Sequence, residues 1–288
     1  MSLLAGLDKL GLKNLESMDL YGDKDVAEQQ KAAETKSKVP EIKETDFLFQ
    51  KTYECPVCGS KFHDVTVKAN RARLLRTEMD LRPVFEGIEP LKYEAILCPT
   101  CGYAALGRYF NNVTAAQAKA IRENISAVFH GSQEEKETLT LEEALERNKL
   151  CLANAIVKKS KVSEKAYICL KGGWLIQCME EALDTNAPDY KERYAELKAQ
   201  EKEYMQNALE GFVNARQNEG IYPMCGMDEV TVDYLVAVLA MNAEQFEVSS
   251  KLISNILASP SASPRIKEKA RDVKEALIVR IKEKSVKK

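Results

Sequence analysis

The chain has 288 residues, of which 45% are hydrophobic and 30% charged, and its formal net charge is −2. That length supports a sizeable core and more than one folding unit. The near-neutral charge excludes wholesale attraction to nucleic acid or anionic lipid. No stretch has the length and apolar continuity of a membrane span and no secretory signal is visible, so a cytoplasmic protein is expected.

Residues 1–21 carry Leu3, Leu7 and Leu10 at helical spacing, followed by Leu12 and Leu15. The pattern predicts a short amphipathic helix interrupted at Gly11. Its polar face holds both Asp8 and Lys9, which suits docking on protein better than lying on a membrane. Residues 22–46 are polar and nearly free of large apolar side chains, so they cannot offset their ordering entropy by burial and read as a flexible linker.

Residues 47–113 are organised by two short stretches, Cys55-Pro56-Val57-Cys58-Gly59 and Cys98-Pro99-Thr100-Cys101-Gly102. In each, two residues separate the cysteines, so a tight turn aims both sulfurs inward. The glycine that follows permits a left-handed turn, with its amide expected to face a sulfur. Two such knuckles supply Cys55, Cys58, Cys98 and Cys101 as four ligands for one structural Zn²⁺, with no coordination position left for chemistry. Phe47, Phe49 and Tyr53 lead into the first knuckle, while Phe62, Val65 and Val67 leave it, as a strand, turn and returning strand would. Leu91 to Leu97 reads as the strand approaching the second knuckle. Between the knuckles lie 39 residues that include Arg71, Arg73, Arg76 and Arg82.

His63 follows Cys58 by five residues and could replace a cysteine as ligand, but four cysteines already fill the site and a polar strand position is the expected role. Cys151, Cys169, Cys178 and Cys225 lack paired spacing and read as small buried hydrophobes on helices.

Residues 114–283 are predicted to be helical. Thr114 to Gln117 and Thr140 to Glu143 have capping-box form, opening helices that run to about Val128 and Lys158. Ser163 is expected to cap a helix to about Leu183, broken by Asn186-Ala187-Pro188. A long helix follows from Asp189 to about Gln217. Asp228 caps the next, Asn242 separates it from one spanning Ala243 to Ala258, and Ser263-Pro264 starts the last. Gly172 and Gly173 beside Trp174 predict a close helix approach. Ala237, Phe246, Ser249, Ile253 and Ile256 have the small-at-the-crossing, large-at-the-flank pattern of a tetratricopeptide-like hairpin. A generic helical bundle is the bland alternative. The last helix is expected to bury Val273, Leu277 and Ile281 and to cap the array with a polar outer face, ahead of a basic tail at residues 284–288. The ribbon and the helices are expected to have separate cores.

Tyr53 to Cys58, Asp80, Pro90-Leu91-Lys92-Tyr93 and Cys98 to Ala104 together resemble a bacterial family of uncharacterised proteins, domain of unknown function 2225. The resemblance runs from about Phe47 to the last helix and implies a zinc-ribbon segment followed by tetratricopeptide-like helices. It supplies no substrate.

The expected protein is thus mainly α with a small β zinc ribbon, a four-cysteine module followed by a tetratricopeptide-like α-helical hairpin array. A non-enzymatic protein–protein interaction module or scaffold is the first reading, binding another protein through the helices. The alternative is nucleic-acid binding by the ribbon, with the arginines on phosphates and Tyr93 or Tyr103 stacking. Lys51 to Phe110 holds nine basic and seven acidic residues, a thin excess for that role. Catalysis is not expected. There are only two histidines, His63 and His130, and neighbouring carboxylates such as Glu142/Glu143 and Glu180/Glu181 do not share a helix face.

Overall fold

Apolar alternation on either side of the first knuckle builds a hairpin. In the computed structural model, which describes residues 43–131 and 136–286, β1 (Leu48–Glu54) pairs antiparallel with β2 (Lys61–Val67), setting Tyr53 opposite Phe62. The amphipathic helix expected at residues 1–21, and the linker as far as residue 42, lie outside the described residues. The end of that linker belongs to the fold. Glu44–Phe47 forms a 3-10 turn, and Glu44 pairs with Lys92 at 2.5 Å and accepts a hydrogen bond from the Tyr93 hydroxyl at 2.8 Å.

The arginine-bearing stretch between the knuckles forms a second hairpin, β3 (Leu74–Thr77) with β4 (Pro83–Phe85), which the sequence reading missed. The approach to the second knuckle is shorter than expected. The Glu89 carboxylate accepts a hydrogen bond from the Leu91 amide at 3.1 Å, and Pro90 opens a 3-10 turn over Pro90–Tyr93. Only Ala95–Leu97 remains as β5, pairing with β6 (Ala104–Leu106) across the knuckle.

Helices follow, most of them at the predicted caps. Thr114 and Gln117 cap α1 (Ala115–Ile121), which passes into a π turn over Arg122–Ser126 instead of running on to Val128. Thr140 and Glu143 cap α2 (Leu141–Val157). The start of α3 (Val162–Glu181) differs from expectation, because Ser163 lies inside its first turn. The cap comes from Glu219, whose carboxylate accepts from the Val162 amide at 2.6 Å and the Ser163 hydroxyl at 2.5 Å. Glu219 follows α4 (Tyr190–Asn218). Asp228 caps α5 (Glu229–Asn242) as predicted. The next helix, α6 (Phe246–Ala258), starts three residues later than expected, since Glu244 turns left-handed at φ 58°. Ser263 accepts from the Ile266 amide at the start of α7 (Pro264–Val286).

Consecutive helices pack on one another, α2 on α3, α3 on α4, α5 on α6, and α7 on both α5 and α6. The α3–α4 approach is as close as the glycine pair predicts. A Cβ at Gly172 would sit 2.4 Å from the Tyr204 ring, and one at Gly173 would sit 2.7 Å from Met205. Ala237 and Ser249 are fully buried between α5 and α6. The seam of α7 is Ala270, Val273 and Leu277; Ile281 is 40% exposed, so the seam ends one turn earlier than expected. The outer face is polar over most of its length, with Arg265, Glu268, Arg271, Asp272, Lys274 and Glu275 exposed, and Ile278 and Val279 interrupt it near the end.

Lys43–Lys288 forms one compact unit. Ala95, Ala104 and Leu106 of the strands pack in one apolar cluster with Cys151, Ala155 and Ile168 of α2 and α3. Separate cores for strands and helices are therefore ruled out. The apolar faces of β5 and β6 are too small to close a core without a helix against them.

Candidate metal centre

The two knuckles have the same internal wiring. In the first, the Gly59 amide donates to the Cys55 carbonyl at 2.8 Å and the Cys55 amide to the Ser60 carbonyl at 2.9 Å. In the second, Gly102 donates to the Cys98 carbonyl at 3.0 Å and Cys98 to the Tyr103 carbonyl at 2.8 Å. Gly59 and Gly102 adopt φ 77° and 71°, the left-handed turn expected. Their amides meet a carbonyl oxygen and not a sulfur, a correction to the sequence reading. Gly102 is needed for a second reason, since a Cβ there would lie 2.5 Å from the Phe129 ring.

These turns bring the four sulfurs together, all within 4.8 Å of one another. Cys55 Sγ lies 3.6 Å from Cys101 Sγ, and Cys58 Sγ lies 3.7 Å from Cys98 Sγ. A tetrahedron with metal–sulfur bonds of about 2.3 Å has edges of about 3.8 Å. The spacing thus fits a single tetrahedral ion, and an all-thiolate donor set is consistent with zinc. All four cysteines are free thiols; Cys55, Cys98 and Cys101 are buried and Cys58 is exposed at the rim. Among the thiols themselves, hydrogen bonds from Cys101 and Cys55 pull Cys98 well below the ordinary thiol range, while Cys101 is pushed up by its contacts with Cys55 and Cys98. Cys55 is raised as well, to about 12, so Cys98 alone among these three is drawn toward the thiolate that a metal requires.

The floor of the site is aromatic. Tyr53, Phe62, Tyr103 and Phe110 pack with ring centroids 5.1–6.2 Å apart. Tyr103 is fully buried and donates its hydroxyl proton to the Phe110 carbonyl at 2.8 Å. Helices hold both knuckles from outside. Arg122, in the π turn after α1, donates to the Val57 carbonyl at 2.7 Å, and Asn154 of α2 donates to the Gly102 carbonyl at 3.0 Å. From α2, Arg147 also pairs with the buried Asp64 of β2 at 2.9 Å. The sequence reading found none of these three supports. The available signal was Asn154 itself, an amide on the buried face of α2.

His63 sits on β2, exposed and 3.3 Å from the Thr52 hydroxyl, and is not part of the cysteine cluster. Cys151, Cys169 and Cys178 are buried on helices, and burial pushes each thiol up, Cys169 to about 11 and Cys178 to about 12. Cys225 is half-buried, in the loop before α5 and not on a helix.

Of the four arginines named for nucleic-acid contact, Arg71, Arg73 and Arg76 are exposed on the surface. Arg82 is buried and paired with Glu181, Arg73 pairs with Glu86 at 3.4 Å and Arg76 with Glu78 at 2.8 Å. Tyr93 and Tyr103 are both buried, so neither ring can stack on a base.

Fold and site together define a mainly helical protein with small antiparallel sheets and a four-cysteine cluster able to hold a metal ion. The chain belongs to the family described as Uncharacterized protein conserved in bacteria (DUF2225), which matches residues 48–277. The match takes in both knuckles and ends at Leu277, the last buried residue of the α7 seam. No curated protein and no solved structure matches the chain. Among the described residues, no helix is long and apolar enough to cross a membrane.

Proposed function

We propose that the chain is a zinc-stabilised interaction scaffold with no catalytic activity of its own. Cys55, Cys58, Cys98 and Cys101 hold one structural Zn²⁺ in a zinc ribbon, and the helices form a tetratricopeptide-like array that binds another protein. The observation that carries this reading is the closure of the cysteine cluster. Four sulfurs at tetrahedral spacing leave no position at which a metal could bind substrate or activate water. The metal's contribution is then to folding. A reducing compartment, the cytoplasm, keeps eight free thiols in this state.

The helical half supports the array reading through its small-residue crossings at Gly172, Gly173, Ala237 and Ser249. Consecutive helices packed in this way present an extended face to a partner.

The test has two parts. Elemental analysis of the purified full chain is expected to give one zinc per chain, lost in Cys98→Ser. Crosslinking of the full chain in a bacterial lysate is expected to recover a protein partner regardless of nuclease treatment. Absence of zinc, or bound material that nuclease removes, would overturn the reading.

A further inference from the structure

The surface of α2, α3 and α4 carries an open trough of about 830 Å³. Its floor is the first half of α3, which packs against both α2 and α4. Leu152 and Ile156 of α2 stand on one side and Tyr204 of α4 on the other, over Val162, Ala166 and Cys169 of α3. Along α4 the lining recurs from Gln200 to Asn214 at steps of three and four, so one whole helical face is turned to the trough. At about 1.5 Å per residue, that face runs for about 21 Å.

Three features specify an occupant. Ile156 is 58% exposed at the trough, a large apolar side chain without cover. The base of the trough includes Ala166 and Gly211, small residues where α3 and α4 meet so closely that a Cβ on Gly211 would lie 2.6 Å from Ala166 Cβ. A floor this shallow in side chains lets the ridge of another helix settle between the walls. The walls have opposite charge. Lys149 and Lys165 line the α2–α3 side, and Glu203 and Glu210 line the α4 side.

We propose that the trough receives an amphipathic α-helix from another protein, with an apolar stripe on Leu152, Ile156 and Tyr204, acidic residues toward Lys149 and Lys165, and basic residues toward Glu203 and Glu210. This rests on the interaction reading above and names the surface and the chemistry of its partner. Helix-in-groove recognition supplies affinity through the apolar stripe, while the flanking charges select the partner.

The probes are four fluorescein-labelled stapled helices of about 15 residues, enough to span the trough. All carry leucine at helical spacing; their flanks are acid on one side and base on the other, acidic on both, basic on both, or glutamine on both. Anisotropy titration of the full chain is expected to show the mixed-flank helix binding roughly tenfold tighter than the other three, about 1.4 kcal/mol. Ile156→Asp, at an exposed position, is expected to weaken that binding by more than tenfold. Lys149→Glu combined with Lys165→Glu is expected to move the preference to the helix that is basic on both flanks. Equal binding of all four helices, binding of none, or an unchanged affinity in Ile156→Asp would overturn the proposal. So would a dimer in sedimentation that Ile156→Asp converts to monomer, because the occupant would then be a second copy. If lysate crosslinking recovers one partner equally with the parent and with Ile156→Asp, the trough fails while the interaction reading stands. Recovery of no partner by either removes the interaction reading itself.

Discussion

Gly172 and Tyr204 share one volume, and that exchange sets the distance between α3 and α4. A Cβ at Gly172 would meet the Tyr204 ring at 2.4 Å and Asn148 Oδ1 at 2.8 Å, with the asparagine fully buried. Alanine is the better helix former by about 1 kcal/mol. Overpacking a tight helix contact costs about 1–3 kcal/mol. Gly172→Ala is therefore expected to be destabilising on balance, seen as a lower urea midpoint with an unchanged slope. A midpoint at or above the parent's would mean that α4 yields to the extra methyl group. The glycine pair was readable in the sequence because two adjacent glycines inside an apolar helix have few uses other than close approach. Asp80 was not readable in the same way. It accepts hydrogen bonds from Trp174 Nε1 at 3.1 Å and Gln177 Nε2 at 3.0 Å, partners more than ninety residues along the chain. Nothing local distinguishes such a carboxylate from one that faces water.

Elements were legible where their signals were local. Thr114 with Gln117, Thr140 with Glu143, and Asp228 all cap the helices that their spacing predicts, since each cap closes within three residues. The start of α3 was misplaced because its cap, Glu219, comes from 56 residues away. The β3–β4 hairpin was missed because β4 is three residues long and begins at Pro83. The α2 cap carries a pH signature. Lys136, and then the Thr140 amide, hold the Glu143 carboxyl below the ordinary carboxylate range. A carboxyl lowered in the folded state contributes stability above its unfolded pKa, about 4.3, and loses it as pH falls through the folded value. Glu143→Gln keeps a side chain able to accept from the Thr140 amide but removes the titration. The parent is expected to lose more stability than Glu143→Gln as pH falls from about 7 to about 3. Denaturant midpoints of the two proteins at several pH values decide this, and parallel curves would remove Glu143 from the account.

At the scale of the molecule, the four cysteines were legible because two pairs at this spacing, each followed by glycine, have few readings other than a metal site. The packing of that site on the helices was not legible, because Arg122, Arg147 and Asn154 sit far along the chain from what they hold. Their contacts change what opening the knuckles should do. The cluster that includes Cys55, Cys98 and Cys101 also holds Ala118 and Ile121 of α1, with Val157 of α2 packed against it. Beside it, Ala95, Ala104 and Leu106 share their burial with α2 and α3. When the knuckles open, Arg122 and Asn154 lose their carbonyl partners, and the buried faces of α1 and α2 lose their cover. Two independent halves would melt separately, the helices at the same temperature with or without metal. A shared core couples them. Cys98→Ser, or the parent protein held with a strong chelator, is therefore expected to melt at a lower temperature when followed by helical ellipticity. Its transition should coincide with that seen by the fluorescence of Trp174, the single tryptophan, which lies in α3 against Asp80. If the helical transition keeps its temperature in Cys98→Ser and with the chelator, the coupling is wrong and the knuckles are an appendage of an autonomous helical body.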